Sequence, residues 1–438
     1  MNKKLLSASF VVALAGFLFG FDTVVISGAD VQLQRLWQTT DLFHGTFVMS
    51  MALWGTVVGA IFAYIPCDRL GRKNTLFWIG VFYFVSALGS GMATDPYTFS
   101  VFRFIGGLGV GASTVAAPTY VSEIAPARLR GRLVALYQFN IVFGILAAFI
   151  SNYLLKDFGT EPWRWMVGIE ALPALIYTLA ILWVPKSPRW LVYRKNDLKA
   201  AKKVQEMLLG EEREVSIFEA FENTGATKKK LFSRKYSFPI VLAFLFAFFN
   251  QLSGINAFLY YAPRIFKSAG LGESSSLLSS IGIGIANLIF TLLGLYLIDK
   301  VGRKVLMYIG SLGYIVSLTM VGMAFFMDWE GFMVPLFLFV FIASHAIGQG
   351  AVIWVFISEI FPTDLRAQGQ SFGSSTHWVL AALITLFMPL ALNALANPGT
   401  VFFYFAGMMV LQLFFVILLM PETKGKTLEE LQSILVEK

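Results

Sequence analysis

The sequence predicts an all-α membrane protein with twelve transmembrane helices in two six-helix halves. Of its 438 residues, 57% are hydrophobic and only 14% are charged, and the mean hydropathy is +0.70. Soluble proteins carry about a quarter charged residues, so the composition excludes a soluble enzyme, a disordered protein and a coiled coil. Apolar runs of about 18 residues or more recur along the chain, and each is long enough to cross about 30 Å of hydrocarbon.

Twelve apolar segments make up this pattern, and each is predicted to be helical because a backbone in hydrocarbon must satisfy its own hydrogen bonds. The first segment follows a basic N-terminus, as in a signal peptide, but the apolar run continues through Asp22 to Gly28 and is long enough to span. We therefore expect a first membrane helix and not a cleaved leader. The segments cover residues 7–28, 43–67, 74–94, 98–121, 132–155, 164–184, 238–262, 277–298, 304–327, 331–357, 369–393 and 399–420.

Lys and Arg are distributed unevenly between these segments. With a cytoplasmic N-terminus, 28 of the 34 fall in cytoplasmic segments, and Arg103 lies inside a helix. Because basic residues concentrate on the cytoplasmic side, we expect a multi-pass protein of the cell membrane with both termini in the cytoplasm. The net charge of +8 then reflects orientation and does not indicate a nucleic acid partner. The five basic residues expected outside are Arg35, Lys156, Arg164, Arg264 and Lys267.

Three motifs occur twice in the same order. DRLGRK at 68–73 recurs as DKVGRK 231 residues later, and EIAPARLRG at 123–131 recurs as EIFPTDLRA 236 residues later. VPKSPRWL, from Val184, has an echo in MPETKGKTL, from Met420. Because six is an even number, both halves enter from the same side, which places a solute site between them near the midplane. The predicted divisions are an N-terminal half (1–184), a cytoplasmic linker with short amphipathic helices (185–237), a C-terminal half (238–420) and a cytoplasmic tail (421–438).

The clear cases of ionisable residues inside predicted helices are Asp22 in the first, Arg103 in the fourth and Glu170 in the sixth. Such a group costs several kcal/mol unless it is paired or hydrated, so each is a functional candidate. Counted from the predicted helix ends at 28, 98 and 164, all three lie roughly 8–9 Å below the outer end of their helices. We predict a proton-coupling site in which Arg103 and a proton compete for Asp22, with Glu170 as a third member or as a group that completes the charge balance. The alternative is a permanent ion pair that only fixes helix packing.

Amide and aromatic side chains accompany these charges. Amides supply hydrogen bonds and aromatic rings supply apolar faces, which suits a site for a neutral solute that carries hydroxyl groups. Amides are costly in hydrocarbon, and as a set they favour a wet cavity, although hydrogen bonding between helices is the alternative for each alone. The candidates are Gln138, Asn250, Gln251, Asn256, Asn287, Trp354, His377 and Trp378.

Acidic residues and arginines recur together at the predicted inner ends of both halves. Such pairs favour a cytoplasmic gate that latches the outward-facing state, whereas the alternative is the general excess of basic residues in inner loops. The candidates in the first half are Asp68, Arg69, Arg72, Glu123, Arg130 and Arg132, and their counterparts are Asp299, Arg303, Glu359 and Arg366.

Other chemistries find little support. The single cysteine, Cys67, excludes an intrachain disulfide, and three histidines at unrelated spacings make a zinc site improbable. GGLGVGAS at 106–113 follows no strand, so it indicates close helix packing and not a dinucleotide site. We expect no enzymatic activity, no metal and no cofactor.

The motifs together resemble the sugar porter family of the major facilitator superfamily over essentially the whole chain. The aspartate in the first motif is closest to the pattern of bacterial proton-coupled sugar symporters. The resemblance rests on GFLFGFDTVVISGA (16–29), DRLGRK, RFIGGLGVGAS (103–113), EIAPARLRGR, VPKSPRW, NQLSGINAFLYYAP (250–263), DKVGRK, WVFISEIFP (354–362) and PETKG.

The resemblance also implies roles for individual residues. Asn250 stands where the family usually has a second glutamine, and His377 stands where an amide usually precedes the tryptophan. GQGAVIW (348–354) lacks the usual prolines, so gating there is expected to depend on Gly348 and Gly350. These departures leave the identity of the sugar open. The residues matching sugar-contacting positions are Gln138, Gln251, Asn256, Asn287, Trp354 and Trp378, and Phe19 matches an aromatic residue that lines the cavity.

The sequence thus predicts a secondary transporter that imports a monosaccharide, a hexose or a pentose, with a proton by alternating access. The alternative is a uniporter of the same fold, in which the Asp22–Arg103 pair is structural. A non-transporting sugar sensor is less favoured, because only 18 residues follow Met420. We expect a monomer surrounded by membrane lipid.

Overall fold

Helices account for the regular secondary structure of the computed structural model, which describes residues 3–209, 231–329, 331–362, 365–426, 430–431 and 434–435. Eleven helices of this part are long and apolar enough to cross a membrane, and a helix pair bent by 41° makes a twelfth span. The predicted twelve-helix architecture is confirmed. Residues 210–230, which include the second part of the predicted linker, lie outside the described residues.

We number the spans α1 to α12 in chain order. One end of the bundle, at which α1 begins, is called the termini end here, and the end at which α1 stops and α2 begins is called the opposite end. The bounds are α1 Lys3–Leu36, α2 Asp41–Met49 with Met51–Phe62, α3 Arg72–Met92, α4 Pro96–Ile124, α5 Ala127–Leu155, α6 Pro162–Gly168 with Ala171–Ile181, α7 Ser237–Leu252 with Ile255–Ser268, α8 Glu273–Val301, α9 Arg303–Phe326, α10 Met333–Glu359, α11 Arg366–Ala394 and α12 Gly399–Leu418.

The two helix ends that differ most from the prediction lie next to charged residues. α1 runs to Leu36 and not to 28, and α7 runs to Ser268 and not to 262. The prediction stopped both helices where charges begin. Asp30 and Arg264 satisfy each other inside the protein, so the helices continue past them. Arg264, expected in an outer loop, is therefore a buried helical residue.

Several spans are interrupted. α7 breaks at residues 253–254, where Gly254 has φ +86° and a Cβ would lie 2.8 Å from the Phe258 ring. α6 breaks at 169–170, and α10 contains a π-helical turn over Ala346–Gly350. Irregular backbone at membrane depth is tolerated where it is buried in protein or lines a cavity, and π turns are frequent at functional sites.

Glycines bring α2 and α4 into backbone contact. A Cβ on Gly107 would lie 1.9 Å from the carbonyl oxygen of Ala52, and one on Gly111 would lie 2.1 Å from that of Thr56. Small residues permit such approach between membrane helices. GGLGVGAS therefore has the packing role that its spacing predicts.

The start of α4 follows from its local sequence. Asp95 accepts hydrogen bonds from the amides of Tyr97 and Thr98, each at 3.0 Å, and Pro96 occupies the first turn. Proline suits this position because its missing N–H has no helical partner there. The Thr98 hydroxyl and these amides hold the pKa of Asp95 below its usual value. The helix begins seven residues before Arg103.

The described part of the linker contains two helices, Pro188–Lys195 and Leu198–Leu209. The second buries Ala201 and Leu208 while its lysines are exposed. Trp190 donates a hydrogen bond of 2.9 Å to the Asp68 carbonyl, and this bond anchors the linker to the short helix Tyr64–Arg69 that follows α2.

Candidate transport site

The structure brings Asp22 of α1 and Arg103 of α4 into direct contact. Arg103 Nη1 donates to Asp22 Oδ1 at 2.5 Å, and Nη2 donates to the Asp22 carbonyl oxygen at 3.0 Å. Both residues are 1% exposed. Desolvating two charges is repaid only where the geometry is close and further hydrogen bonds are made, and this pair has both.

Glu170 is the third member of this charge cluster. It lies at the break in α6, is 1% exposed and is near enough to Asp22 for a side-chain hydrogen bond. Its Oε1 has no hydrogen-bond partner among the described residues. Among the described residues Arg103 hydrogen-bonds to Asp22 and not to Glu170, so two carboxyl groups lie near one positive charge, which cannot balance two negative ones. Such a site can hold a proton.

Tyr260 links this cluster to α7. It lies beside Arg103 and Asp22 and within hydrogen-bonding reach of Thr23. The sequence analysis did not select Tyr260, although its motif was noted. A Cβ on Gly106 would lie 3.5 Å from Asp22 Oδ1, so α4 covers the carboxylate closely.

Gln251, at the break in α7, is the centre of an amide cluster. Its Nε2 donates to Asn250 Oδ1 at 3.0 Å, and its Oε1 accepts from Asn256 Nδ2 at 2.8 Å. The same Nε2 lies 3.1 Å from His377 Nε2 and 3.2 Å from Nδ1, so it can donate to whichever ring nitrogen lacks a hydrogen. All four predicted residues come together in one polar cluster.

Aromatic rings extend the amide cluster across the bundle. The His377 ring lies 5.1 Å from Trp354 and 4.7 Å from Trp378, and Trp378 lies 5.6 Å from Phe19. Phe19 belongs to α1, whereas Trp378 belongs to α11. The rings supply the flat apolar faces that a sugar needs beside its hydrogen bonds.

Two predicted residues are not joined to this cluster by a hydrogen bond between described residues. Gln138 on α5 is half-buried, and Asn287 on α8 accepts a hydrogen bond of 3.3 Å from Thr291. Among the described residues, no hydrogen bond joins either of them to Gln251.

A row of buried polar side chains is hydrogen-bonded to Asn250 of the amide cluster. Asn250 donates to Gln349 at 3.3 Å, Gln349 donates to Gln412 at 2.8 Å, and Gln412 donates to Ser311 at 2.8 Å. Each amide has one orientation that satisfies its neighbour, so the row fixes how Asn250 faces Gln251. Sequence analysis missed these residues, although glutamine in an apolar helix is itself a signal.

Acid–arginine pairs lie at the termini end, each within one half. Arg72 contacts Glu123 at 2.9 Å, and the repeated pair Arg303–Glu359 has the same distance. Asp68 lies 3.6 Å from Arg72, and Asp299 lies 3.1 Å from Arg303. Arg194 of the linker, which the prediction did not include, also contacts Asp68, at 3.0 Å.

Two hydroxyl groups complete these pairs and repeat with them. Ser187 donates to Glu123, and Thr423 donates to Glu359 at 2.6 Å. Both lie in the repeated motifs that follow α6 and α12, but the sequence analysis did not select them. Of the other gate candidates, Arg69 and Arg132 are exposed, Arg366 is half-buried, and the side chain of Arg130 lies outside the described part.

Glu422 ties the C-terminal segment to the start of α9. It accepts hydrogen bonds from the amides of Arg303 at 3.0 Å and Lys304 at 2.9 Å. Partial burial raises the pKa of Glu422, but the backbone donors, with Lys424 first among them, outweigh it and hold the pKa below its usual value. The carboxylate is therefore charged near neutral pH.

Residues 8–435 match the model of a family described as "Sugar (and other) transporter". The chain belongs to this family of sugar porters. It is 32% identical over 472 residues to the D-xylose-proton symporter of Escherichia coli (strain K12), covering 99% of this chain and 96% of that one. It is 33% identical over 441 residues to the arabinose-proton symporter of Bacillus subtilis (strain 168), covering 98% and 94%.

Solved structures of another sugar porter have the same fold. The inward open conformation of the xylose transporter XylE from E. coli has a TM-score of 0.87 at 31% identity, covering 98% of this chain and 100% of that chain. The proton:xylose symporter XylE bound to 6-bromo-6-deoxy-D-glucose has a TM-score of 0.79 at 30% identity, covering 98% and 99%.

Proposed function

We propose that this sugar porter imports a monosaccharide together with a proton by alternating access. The observation that carries the proposal is the cluster of two buried carboxyl groups around one arginine, which lies beside an amide and aromatic cluster at a broken helix. Relatives named as xylose and arabinose symporters with protons support the same function.

The proton site follows from charge balance. Asp22, Glu170 and Arg103 would carry a net negative charge in a nearly dry interior, and such a charge is costly. A proton taken up by either carboxyl group neutralises the cluster. When Asp22 takes up the proton, its ion pair with Arg103 weakens, and α1 and α4 can shift against each other.

Sugar binding reaches this cluster through the broken helix α7. Gln251 and Asn256 lie on either side of the break, and Tyr260 is carried on the piece that begins at Ile255. A sugar that forms hydrogen bonds with both amides displaces the part of α7 that begins at Ile255. Its movement shifts Tyr260 against Asp22 and Arg103, which couples sugar to proton.

The distribution of basic residues supports a cytoplasmic termini end, and the opposite end is then the outer end. The higher similarity to the inward open structure supports an inward-facing conformation. We further propose that the protein acts as a monomer in the cell membrane.

We keep the proposal that the acid–arginine pairs act as a cytoplasmic gate. The Arg72–Glu123 pair joins α3 to α4, and Ser187 joins both to the segment after α6. The pair thereby shapes the inner surface that meets the other half when the cytoplasmic side closes.

A uniporter is the second candidate, because the close Asp22–Arg103 pair can also be read as a permanent structural contact. Uptake of labelled pentoses and hexoses into vesicles, with and without a pH gradient, separates the two. Symport requires accumulation above equilibrium that depends on the gradient. A sugar that only equilibrates, whatever the gradient, would support the uniporter.

A further inference from the structure

A second buried ion pair lies on α1, nearer the outer end than Asp22. Asp30 is 0% exposed and Arg264 of α7 is 9% exposed. Arg264 Nε donates to Asp30 Oδ2 at 2.6 Å, and Nη2 donates to Oδ1 at 2.8 Å, so the contact is bidentate. Asp30 lies eight residues beyond Asp22, which is about 12 Å along the helix. The pair is thus separate from the proton cluster.

His44 of α2 holds the same carboxylate. Its Nε2 lies 2.8 Å from Asp30 Oδ1, and its Nδ1 lies 3.3 Å from Thr39 Oγ1. A hydrogen on Nε2 points to the carboxylate, and the neutral ring then accepts from the threonine hydroxyl through Nδ1. Every polar atom of the imidazole is satisfied in this arrangement.

The network continues across four helices. Arg264 Nη2 donates to Gln34 Oε1 at 2.5 Å, and Gln34 Nε2 donates to Asp41 Oδ1 at 2.7 Å. Asn393 of α11 donates to the same oxygen of Asp41 at 2.9 Å. The connected helices are α1 and α2 of the first half with α7 and α11 of the second.

The backbones of α2 and α11 also pack closely against each other at this interface between the halves. A Cβ on Gly45 of α2 would lie 1.9 Å from the carbonyl oxygen of Leu386 on α11. Real Cβ atoms do not approach so closely, so a side chain here would force the two helices apart. The ionic network and this backbone contact are independent observations of one closed interface between the halves.

We propose that Asp30, with Arg264 and His44, is the anchor of an outer gate that sets the balance between outward-facing and inward-facing states. The inference rests on the proposed alternating access, because a sugar entering from outside requires α1 and α2 to separate from α7 and α11. The ion pair then breaks and both charges are hydrated. In the closed gate each charge is stable only through the other, because a lone buried charge is costly.

Replacing Asp30 by Asn tests this gate. The substitution leaves Arg264 buried beside a neutral amide when the gate is closed but hydrated when it is open, so the outward-facing population rises. Gly45→Ala acts on the same interface without changing a charge, and it is expected to shift the population in the same direction. The matched control is Glu161→Gln, which removes the 2.8 Å ion pair with Arg164 inside one half at the same end.

A reporter cysteine measures the opening. Ser27 lies three residues before Asp30 on the same helix face, is 3% exposed, and its hydroxyl has no partner among the described residues. Ser27→Cys is introduced together with Cys67→Ser, which removes the native cysteine. Right-side-out vesicles are then treated with a membrane-impermeant thiol reagent without sugar or pH gradient.

We expect labelling of the reporter to be on the order of tenfold faster or more in Asp30→Asn, since breaking a buried pair by removing one partner is strongly unfavourable. Labelling in Asp30→Glu and Glu161→Gln should stay near that of the parent. Equal labelling in folded Asp30→Asn and in the parent would overturn the gate. If Asp30→Asn fails to fold, Gly45→Ala decides in the same way. Because labelling needs no transport, a gate without proton-driven uptake would refute only the proposed symport.

Discussion

At the scale of single residues, the polar groups of the site differ in their charge and in their hydrogen-bond partners. Asp22 has Arg103 as its counter-charge, whereas Glu170 has an oxygen with no partner among the described residues. Gln251 is a neutral centre whose amide contacts three other side chains. Removing a charge and removing an amide should therefore have separate effects on coupling and on affinity.

Asp22→Asn mimics the protonated carboxyl group. The variant should still bind sugar and still exchange labelled sugar across the membrane at equal concentrations, because a neutral side chain leaves the carrier free to change orientation. Accumulation driven by a pH gradient should vanish. Sugar exchange and gradient-driven uptake, measured in the same vesicles, test these two expectations. Accumulation that survives would mean that the proton is carried elsewhere, and Glu170→Gln would be tested next.

Gln251→Ala should weaken sugar binding by about 1–3 kcal/mol, since it leaves a sugar hydroxyl without its partner. Binding of the transported sugar to purified protein measures the change. Asn140→Ala is the matched control, because Asn140 is equally buried but donates to the Leu136 carbonyl of its own helix. An equal loss of affinity in both variants would place the effect in general stability and not in the sugar site.

At the scale of the element, the broken helix α7 carries residues of the amide cluster, Tyr260, and Arg264 of the proposed outer gate. Gln251 lies just before the break, Tyr260 follows it, and Arg264 lies about one turn further along. The segment from Ile255 therefore connects the amide cluster with Tyr260, and a second kink at Tyr261, where φ is −118° and ψ is 16°, lies between Tyr260 and Arg264. The break requires a positive φ at position 254, which glycine adopts without strain.

Gly254→Ala should reduce stability and transport together. An alanine at φ +86° is strained, by about 1–3 kcal/mol, and its Cβ would meet the Phe258 ring at 2.8 Å. Thermal unfolding in detergent and sugar exchange measure the loss. Gly272→Ala is the control, because Gly272 has φ −64° and no atom within 4 Å of its added Cβ. Unchanged unfolding in Gly254→Ala would show that the break tolerates a side chain.

At the scale of the whole molecule, the two ends differ in what their ion pairs connect. The bidentate Asp30–Arg264 contact joins the two halves at one end, whereas Arg72–Glu123 and Arg303–Glu359 each join helices of one half at the other. The first kind of contact must break when its end opens. In the proposed cytoplasmic gate, the second kind shapes a surface that the opposite half meets when its end closes.

Glu123→Gln should shift the population towards inward-open. The loss of the charged contact with Arg72 loosens the ends of α3 and α4, and so weakens closure of the cytoplasmic side by about 1.5 kcal/mol or more, roughly tenfold in population. Labelling of single cysteines introduced into the inner cavity of a Cys67→Ser background, from the cytoplasmic side in inverted vesicles, measures the shift. Glu359→Gln, the repeated position, should act in the same direction. Equal accessibility in variant and parent would contradict the gate.

Hydropathy, charge and repetition predicted the membrane class and the twelve helices, because these depend on local composition and on the need of each span to satisfy its own backbone. The family followed from the resemblance of the motifs. The Asp22–Arg103 contact was also predictable, since two opposite charges at equal depth in hydrocarbon favour each other. The amide cluster around Gln251 followed from its position in a recognisable motif.

The outer ion pair and the row behind the amide cluster were not predictable in this way. Asp30 and Arg264 are 234 positions apart, and both lie just beyond the predicted helix ends at 28 and 262, so the sequence places both outside the membrane helices. Only the packing of α1 against α7 removes water from both and extends both helices. Gln349 and Gln412 acquire their roles in the same way, because an amide in an apolar helix has no defined partner until its neighbouring helices are in place.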